Sequence, residues 1–437
     1  MYRRYLLPSV GLAFAGLTIF LGYFVERSDF QAFILAYAAF FGLYAWLVFS
    51  NTPYLSRETQ PFFLPLGLLL RALLLFSMPA LSDDYARFLW DGHLTVNGYH
   101  PFAHPPDYFM VRRLLPAGIA NDLFLQLNSP AYFSVYPPVC QAIFAIAAWC
   151  VPKSIWGGVV VIKLFLLAFE LGTIRLLQRH VGYAAAFCYA LNPLVILEIS
   201  GNCHFEGAMI FFLLAGLIAL QQNRLWPASG AWALAIASKM LPLLFLPLVW
   251  RYLGGKKGIF FLLQLALFCL LLFAPILWAL PNILESLDLY FRQFQFNASI
   301  YYLVREVGYA KIGWDIGEFS GPILGAVTLL GICVLSIRVT RQQNAGLWSN
   351  MLFALFLYLS CAATVQPWYG AVPLALSLLT RWRFPIVWSG LIVLSYSHYE
   401  NGGFQENYTL IALEYLVLWV FLGWEWWNMR NKVQSCP

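Results

Sequence analysis

Two adjacent acids, Asp83 and Asp84, follow an apolar run that ends near Ala80. A carboxylate beside a hydrocarbon core is costly unless it pairs or does chemistry. Ser82 or Asp83 could cap a helix running through "YARFLWDGHLTVNG" and stopping at Asn97-Gly98. A cap accounts for one acid. It leaves the other, and Asp91 farther along the same helix, free for general-base or substrate-binding work. Later in the chain, "SGNCHFEG" places His204 and Glu206 in a turn that needs only Gly and Asn, with Glu198 just ahead of it. These groups can move protons and hydrogen-bond, but they lack the spacing of a zinc site. Lys239 stands between two short apolar segments, 227–238 and 240–253. An ammonium there either snorkels or acts as a point charge for phosphate. The stretch "FRQFQFNASIYYLVREVGYAKIGWD" adds Arg292 and Arg305 among aromatic rings that suit a sugar or a membrane interface. Arg71, Lys163 and Glu170 sit inside apolar runs and read as structural ion pairing.

What must position these groups is a membrane bundle. Of the 437 residues, 61% are hydrophobic and 11% charged, and the apolar runs extend from end to end. No soluble core could hide that much apolar surface, so the chain reads as an all-α polytopic membrane protein of about 12–14 transmembrane helices. The expected spans are roughly 6–25, 30–50, 61–80, 155–178, 183–199, 206–222, 258–280, 320–340, 348–366, 368–380, 384–398 and 409–428. The first reads as a retained helix rather than a cleaved signal. The net charge of +6 is scattered and forms no nucleic-acid stripe. Cys140, Cys188, Cys269, Cys333 and Cys361 fall in apolar runs and read as packing residues.

Basic residues fix the sides. If the piece 136–151 does not span, then Arg3, Arg4, Arg57, Arg175, Arg179, Arg224, Arg251, Lys256, Lys257, Arg338, Arg341, Arg381, Arg383, Arg430 and Lys432 share the cytoplasmic side. If it did span, that bias would reverse. The segment is therefore placed on or in the outer leaflet. Residues 1–437 then form one membrane domain with two long extracytoplasmic loops, 81–154 and 281–319. Shorter outward turns lie at 200–207, 365–370 and 397–407. His93, His100, His104, His204 and His398 face outward, and function is expected on that side. Arg87, Asp91 and Tyr136 of the first loop join His204, Glu206, Lys239, Arg292 and Arg305 as candidate substrate contacts.

The order of the pieces "SDDYARFLWDGHLTVNGYHPF", "VYPPVCQAIFA", "ALNPLVILEISGNCHFEG", "ASGAWALAIASKMLP", "FNASIYYLVRE" and "VQPWYGAVPLAL" resembles the GT-C glycosyltransferases that use polyprenyl- or dolichyl-phosphate sugars, in particular the mannosyltransferase branch. The resemblance implies an inverting transfer of one sugar, mannose, from a polyprenyl-phosphate donor to a glycan, lipid or protein hydroxyl. It implies an integral protein of a bacterial inner membrane with its active site outside. It also implies that an acid of the first outward loop is the base. Asp84-Tyr85 matches the family's acidic D-Y pair, which favours Asp84 over Asp83. No cofactor is called for, although the two acids could hold a divalent cation. No nucleotide-binding glycine loop is present, in keeping with a lipid-phosphate donor. The competing classes are a secondary transporter or lipid-linked glycan flippase, which would suit intramembrane charges, and a lipid-linked oligosaccharide ligase or polymerase.

Overall fold

The computed structural model describes residues 2–50, 60–118, 121–314, 316–402 and 404–434. Arg57 lies outside the described residues, as do the side chains of Arg3, Arg4, Arg292 and Lys432. Among the described residues the regular structure is helical, apart from one bridge between Phe296 and Thr364.

The chain opens with α1 (Tyr2–Tyr23), α2 (Phe30–Phe49) and α3 (Gln60–Leu73). The first long loop holds α4 (Asp84–Val96), α5 (Pro106–Val111), α6 (Asn121–Leu125) and α7 (Pro138–Cys150). Next come the 26-residue α8 (Ile155–His180), α9 (Tyr183–Ala190) and the short α10 (Pro193–Val195), which runs into a π-helical turn at Ile196–Gly201. The middle of the chain is α11 (Glu206–Gln221), α12 (Leu225–Ser238), α13 (Leu246–Leu253) and α14 (Gly255–Phe273). The second long loop carries α15 (Leu280–Gln293) and α16 (Ile300–Ile312). The chain closes with α17 (Gly317–Ile337), α18 (Asn344–Cys361), α19 (Ala371–Ser377), α20 (Phe384–Leu391) and α21 (Tyr408–Gln434).

Among the described residues, four helical stretches are long and apolar enough to cross a bilayer alone: Phe30–Phe49, Gly255–Asp288, Phe319–Ile337 and Tyr408–Asn431. The bent pair Tyr183–Ala190 and Pro193–Gly201, hinged by 54°, makes a fifth if counted as one span. Hydropathy alone leads to 12–14. The difference lies in helices shorter than a bilayer, such as Glu206–Gln221, and in helices that carry charge, such as α8 with Lys163, Glu170 and Arg175. The chain is thus an all-α polytopic membrane protein. The segment 136–151 forms α7, whose 13 residues reach only about 20 Å at 1.5 Å per residue, too short for the ~30 Å hydrocarbon core.

Intramembrane charges are tied off in knots. The Arg71 Nε donates to Glu170 Oε2 at 2.9 Å, and its Nη1 to the carbonyls of Gly67 at 2.8 Å and Ala190 at 2.6 Å, binding α3 to α8 and α9. Lys163 does not pair with Glu170. Its Nζ donates to Leu74 O at 2.9 Å and Ser77 O at 2.6 Å, just past the C-terminal end of α3, where a cation satisfies orphan carbonyls.

The first loop has a core of its own. Phe88 of α4 stacks on Phe144 of α7 at 4.5 Å, and Tyr136 and Phe205 meet both rings edge-on. Residues Ala86–Leu94 are all buried, with α7, α8 and α6 packed against α4. Gly92 makes this closeness achievable: a Cβ built there would lie 2.2 Å from the Phe144 carbonyl oxygen.

Candidate active site

α7 packs on both α4 and α12, and Asp84 at the start of α4 lies within electrostatic range of Lys239 at the end of α12. The Cys140 thiol of α7 donates to the Ser238 carbonyl at 3.2 Å, which seats α7 on the last residue of α12. Asp83 occupies the N-cap position of α4 but makes no capping bond. The Ser82 hydroxyl accepts from the Asp84 N–H at 3.3 Å instead. The Asp83 carboxylate turns to Arg27, whose Nη2 donates at 2.9 Å. Asp84, half-buried, accepts from Asn128 Nδ2 at 3.3 Å. Burial raises the Asp84 carboxyl above the usual range; the Lys239 charge and the Asn128 bond pull it down, while Asp83 and Glu206 push it up. A carboxylate raised in this way is a better proton acceptor near neutral pH.

Lys239 can reach this region because the chain breaks there. It is extended (φ −156°, ψ 136°) at the end of α12, and Pro242, which has no N–H, opens the turn Leu241–Phe245 before α13. Its Nζ lies 3.1 Å from Glu206 Oε1 at the start of α11, and its side chain keeps 28% exposure, so the ammonium remains reachable. Both residues line a cavity of about 340 Å³ whose other walls are aliphatic, Met or Tyr, among them Met209, Met240, Leu355 and Tyr369.

His204 takes a different place from the cationic one its residue type allows. It is buried against Trp368, ring to ring at 3.7 Å, with Nε2 3.4 Å from Glu198 Oε2. Burial, with the Lys239 charge adding to it, holds its imidazole well below the usual range, so it is neutral near pH 7. Glu198, brought there by the π-helical turn, accepts from the Tyr396 hydroxyl at 2.8 Å.

The remaining candidates divide. Tyr136 packs edge-on against Phe88 and lies within electrostatic range of Asp84. Arg87 and Asp91 are buried and bonded to each other at 2.9 Å. Asp91 also accepts from Ser134 and Gln141, and Arg87 donates to the Ser129 and Tyr132 carbonyls. They hold the segment that presents Asn128 to Asp84. Arg305 belongs to a neighbouring cluster, where it donates to Gln295, Glu306 and Tyr408 and lies over the Tyr302 ring at 4.5 Å. Tyr302 donates to Glu406, which faces His398 at 3.6 Å. Arg292 is on α15, its side chain outside the described residues. Among the described residues no three His, Cys, Asp or Glu side chains gather as a metal cage.

Sequence reasoning missed Arg27, Asn128 and Tyr399. Arg27 lies just past α1 in "ERSD", a link with no local signal of a site. Its guanidinium lies 4.3 Å over the Tyr399 ring. For Arg87 and Asp91 a signal was present, since opposite charges four apart on a helix face one another.

The arrangement brings a carboxylate, a cation and an apolar cavity within electrostatic reach of one another. Comparison with known proteins agrees with it. Residues 13–254 match the family described as alpha-(1->6)-mannopyranosyltransferase, N-terminal domain. The chain is also similar to alpha-(1->6)-mannopyranosyltransferase A of Mycobacterium tuberculosis (strain ATCC 25618 / H37Rv), 25% identical over 369 residues that cover 77% of this chain and 68% of that protein.

Proposed function

We propose a specific reaction for a chain that belongs to the alpha-(1->6)-mannopyranosyltransferase family and is, as such, a glycosyltransferase. The donor is a polyprenyl-phosphate mannose, the acceptor a glycan hydroxyl, and the site lies on the extracytoplasmic face of a bacterial inner membrane. The loops 81–154 and 281–319 form that face, on the strength of the basic-residue bias. The observation that carries the reading is the 340 Å³ apolar cavity with the Lys239–Glu206 pair in its wall, electrostatically coupled to Asp84. A prenyl chain suits the apolar lining, and its phosphate suits the ammonium.

In the reaction, the acceptor hydroxyl oxygen attacks the anomeric carbon. The bond from that carbon to the phosphate oxygen breaks, and the electron pair leaves with the polyprenyl phosphate. Asp84 accepts the hydroxyl proton. Lys239 stabilises the charge gathering on the departing phosphate. One displacement inverts the anomeric centre, because no second carboxylate is called on as nucleophile. The α linkage in the family's name then requires a β-linked donor, and the 1→6 linkage a primary hydroxyl on the acceptor.

Purified protein given polyprenyl-phosphate mannose and a mannose-terminated acceptor should release polyprenyl phosphate. Asp84→Asn should lower that release by a factor of about 10²–10⁴, the usual range for a positioned base, while the melting temperature holds. Full activity in Asp84→Asn rules out the mechanism.

A further inference from the structure

Arg27 has no place in the chemistry above, yet it divides the acidic pair. Asp83 stands at the helix position where its carboxylate would ordinarily accept from the first free N–H groups, and it makes no such bond. Ser82 takes that role for Asp84. Asp83 is drawn instead to Arg27, 56 residues earlier, in the short link between α1 and α2. Arg27 is itself held from the other side, its guanidinium lying over Tyr399, which packs against Tyr396, His398 and Phe404. Adjacent residues on a helix do not face each other, so Arg27 and Asn128 hold the two carboxylates on separate partners.

We infer that Arg27 is a positioning residue: by holding and neutralising Asp83, it leaves Asp84 as the acid that takes the acceptor proton. The inference rests on the reading of Asp84 as base. Two unpaired carboxylates side by side would hinder each other's ionisation. Groups whose charge bears on Asp84 are Lys239, Asp83 and Glu206, with the phenols of Tyr136 and Tyr399 nearby. Of the three charged groups, Lys239 lowers its carboxyl and both acids raise it. Arg27 sets a positive charge 2.9 Å from the Asp83 carboxylate and so reduces the net negative charge beside Asp84. Without it, the full negative charge of Asp83 acts on Asp84, and a higher pH is needed to ionise the base.

The test uses full-length protein in vesicles carrying polyprenyl-phosphate mannose, with kcat/KM for mannosyl transfer followed across pH. In wild type, the rate should fall as the pH drops through the Asp84 titration. Arg27→Gln should move this acid limb upward by about one pH unit, as expected of one uncompensated neighbouring charge. Arg27→Gln/Asp83→Asn should bring it back to the wild-type position or below. Arg27→Lys, which keeps the charge, should leave the limb close to wild type. A merely structural Arg27 would lower the rate in all three variants without moving the limb, and that result overturns the inference. So does a double variant whose limb stays as high as that of Arg27→Gln. Should Arg27→Gln fail to fold, Asp83→Asn decides. Retained transfer with an acid limb no higher than wild type supports the assignment, and a loss as complete as that of Asp84→Asn refutes it. Wild-type protein that transfers nothing from this donor removes the proposed reaction itself, whereas an active wild type with an unmoved limb removes only the role of Arg27.

Discussion

At the scale of single residues, environment decides among groups of one chemical type. Asp83 and Asp84 differ in partner, an arginine for one and an amide for the other. Lys239 and Lys163 differ likewise: Lys163 is fully bonded to carbonyls and a hydroxyl at the end of α3, whereas Lys239 has a single carboxylate and a partly open side chain. Lys239→Gln should therefore lower kcat by about 10²-fold, the usual consequence of deleting one group that stabilises transition-state charge. Single-turnover kinetics with the polyprenyl-phosphate donor would show it. An unchanged rate removes Lys239 from the chemistry. The acids and Lys239 were legible in the sequence because charge next to long apolar runs needs a reason. The neutrality of His204 was not, since its burial against Trp368 joins segments more than 160 positions apart. Neither was the Arg27–Asp83 bond, which no local pattern announces.

At the scale of elements, local signals served well where they were chemical. Asn97 and Gly98 end α4, with Gly98 at φ 78°, as a helix stop requires. The break at Lys239 follows from two segments too short to span and from Pro242. What the sequence withheld was the cover over α4: an amphipathic pattern gives the apolar face but not what lies over the other. That cover depends on Gly92. Gly92→Ala would place a methyl 2.2 Å from the Phe144 carbonyl oxygen, a backbone atom that cannot swing aside. The expected cost is about 1–3 kcal/mol, as for other overpacked interiors. Thermal unfolding in detergent should show a lower midpoint for Gly92→Ala, and transfer should fall with it if Asp84 of α4 is the base, as proposed. A wild-type midpoint would mean that α4 and α7 do not approach this closely.

At the scale of the whole molecule, the bundle is held by apolar packing fastened at a few charged knots. The Arg71–Glu170 pair has both side chains fully enclosed. Arg71→Met should destabilise the protein by about 3–5 kcal/mol, because it strands a buried carboxylate. Arg71→Met/Glu170→Leu should recover most of that loss. Denaturant titration of the two variants distinguishes a knot that fastens the fold from one that is incidental, since in the latter case the single variant unfolds like wild type. All-helical membrane architecture was evident from hydropathy alone. The number of helices that can cross by themselves was not, because a window average does not register a 54° bend or a charge bonded to a neighbouring helix.

The cavity beside Lys239 has a further consequence. Its 340 Å³ lies at the lower end of the ~300–1,000 Å³ of ordinary small-molecule pockets. If the polyprenyl-phosphate donor proposed above binds there, only the isoprene units nearest the headgroup enter such a space, and the distal units of a long carrier stay among the acyl tails. Turnover should consequently be indifferent to how many units the carrier has once the first few are present. Discrimination would rest on the saturation and geometry of those first units, which two flexible methionines at the wall can mould around.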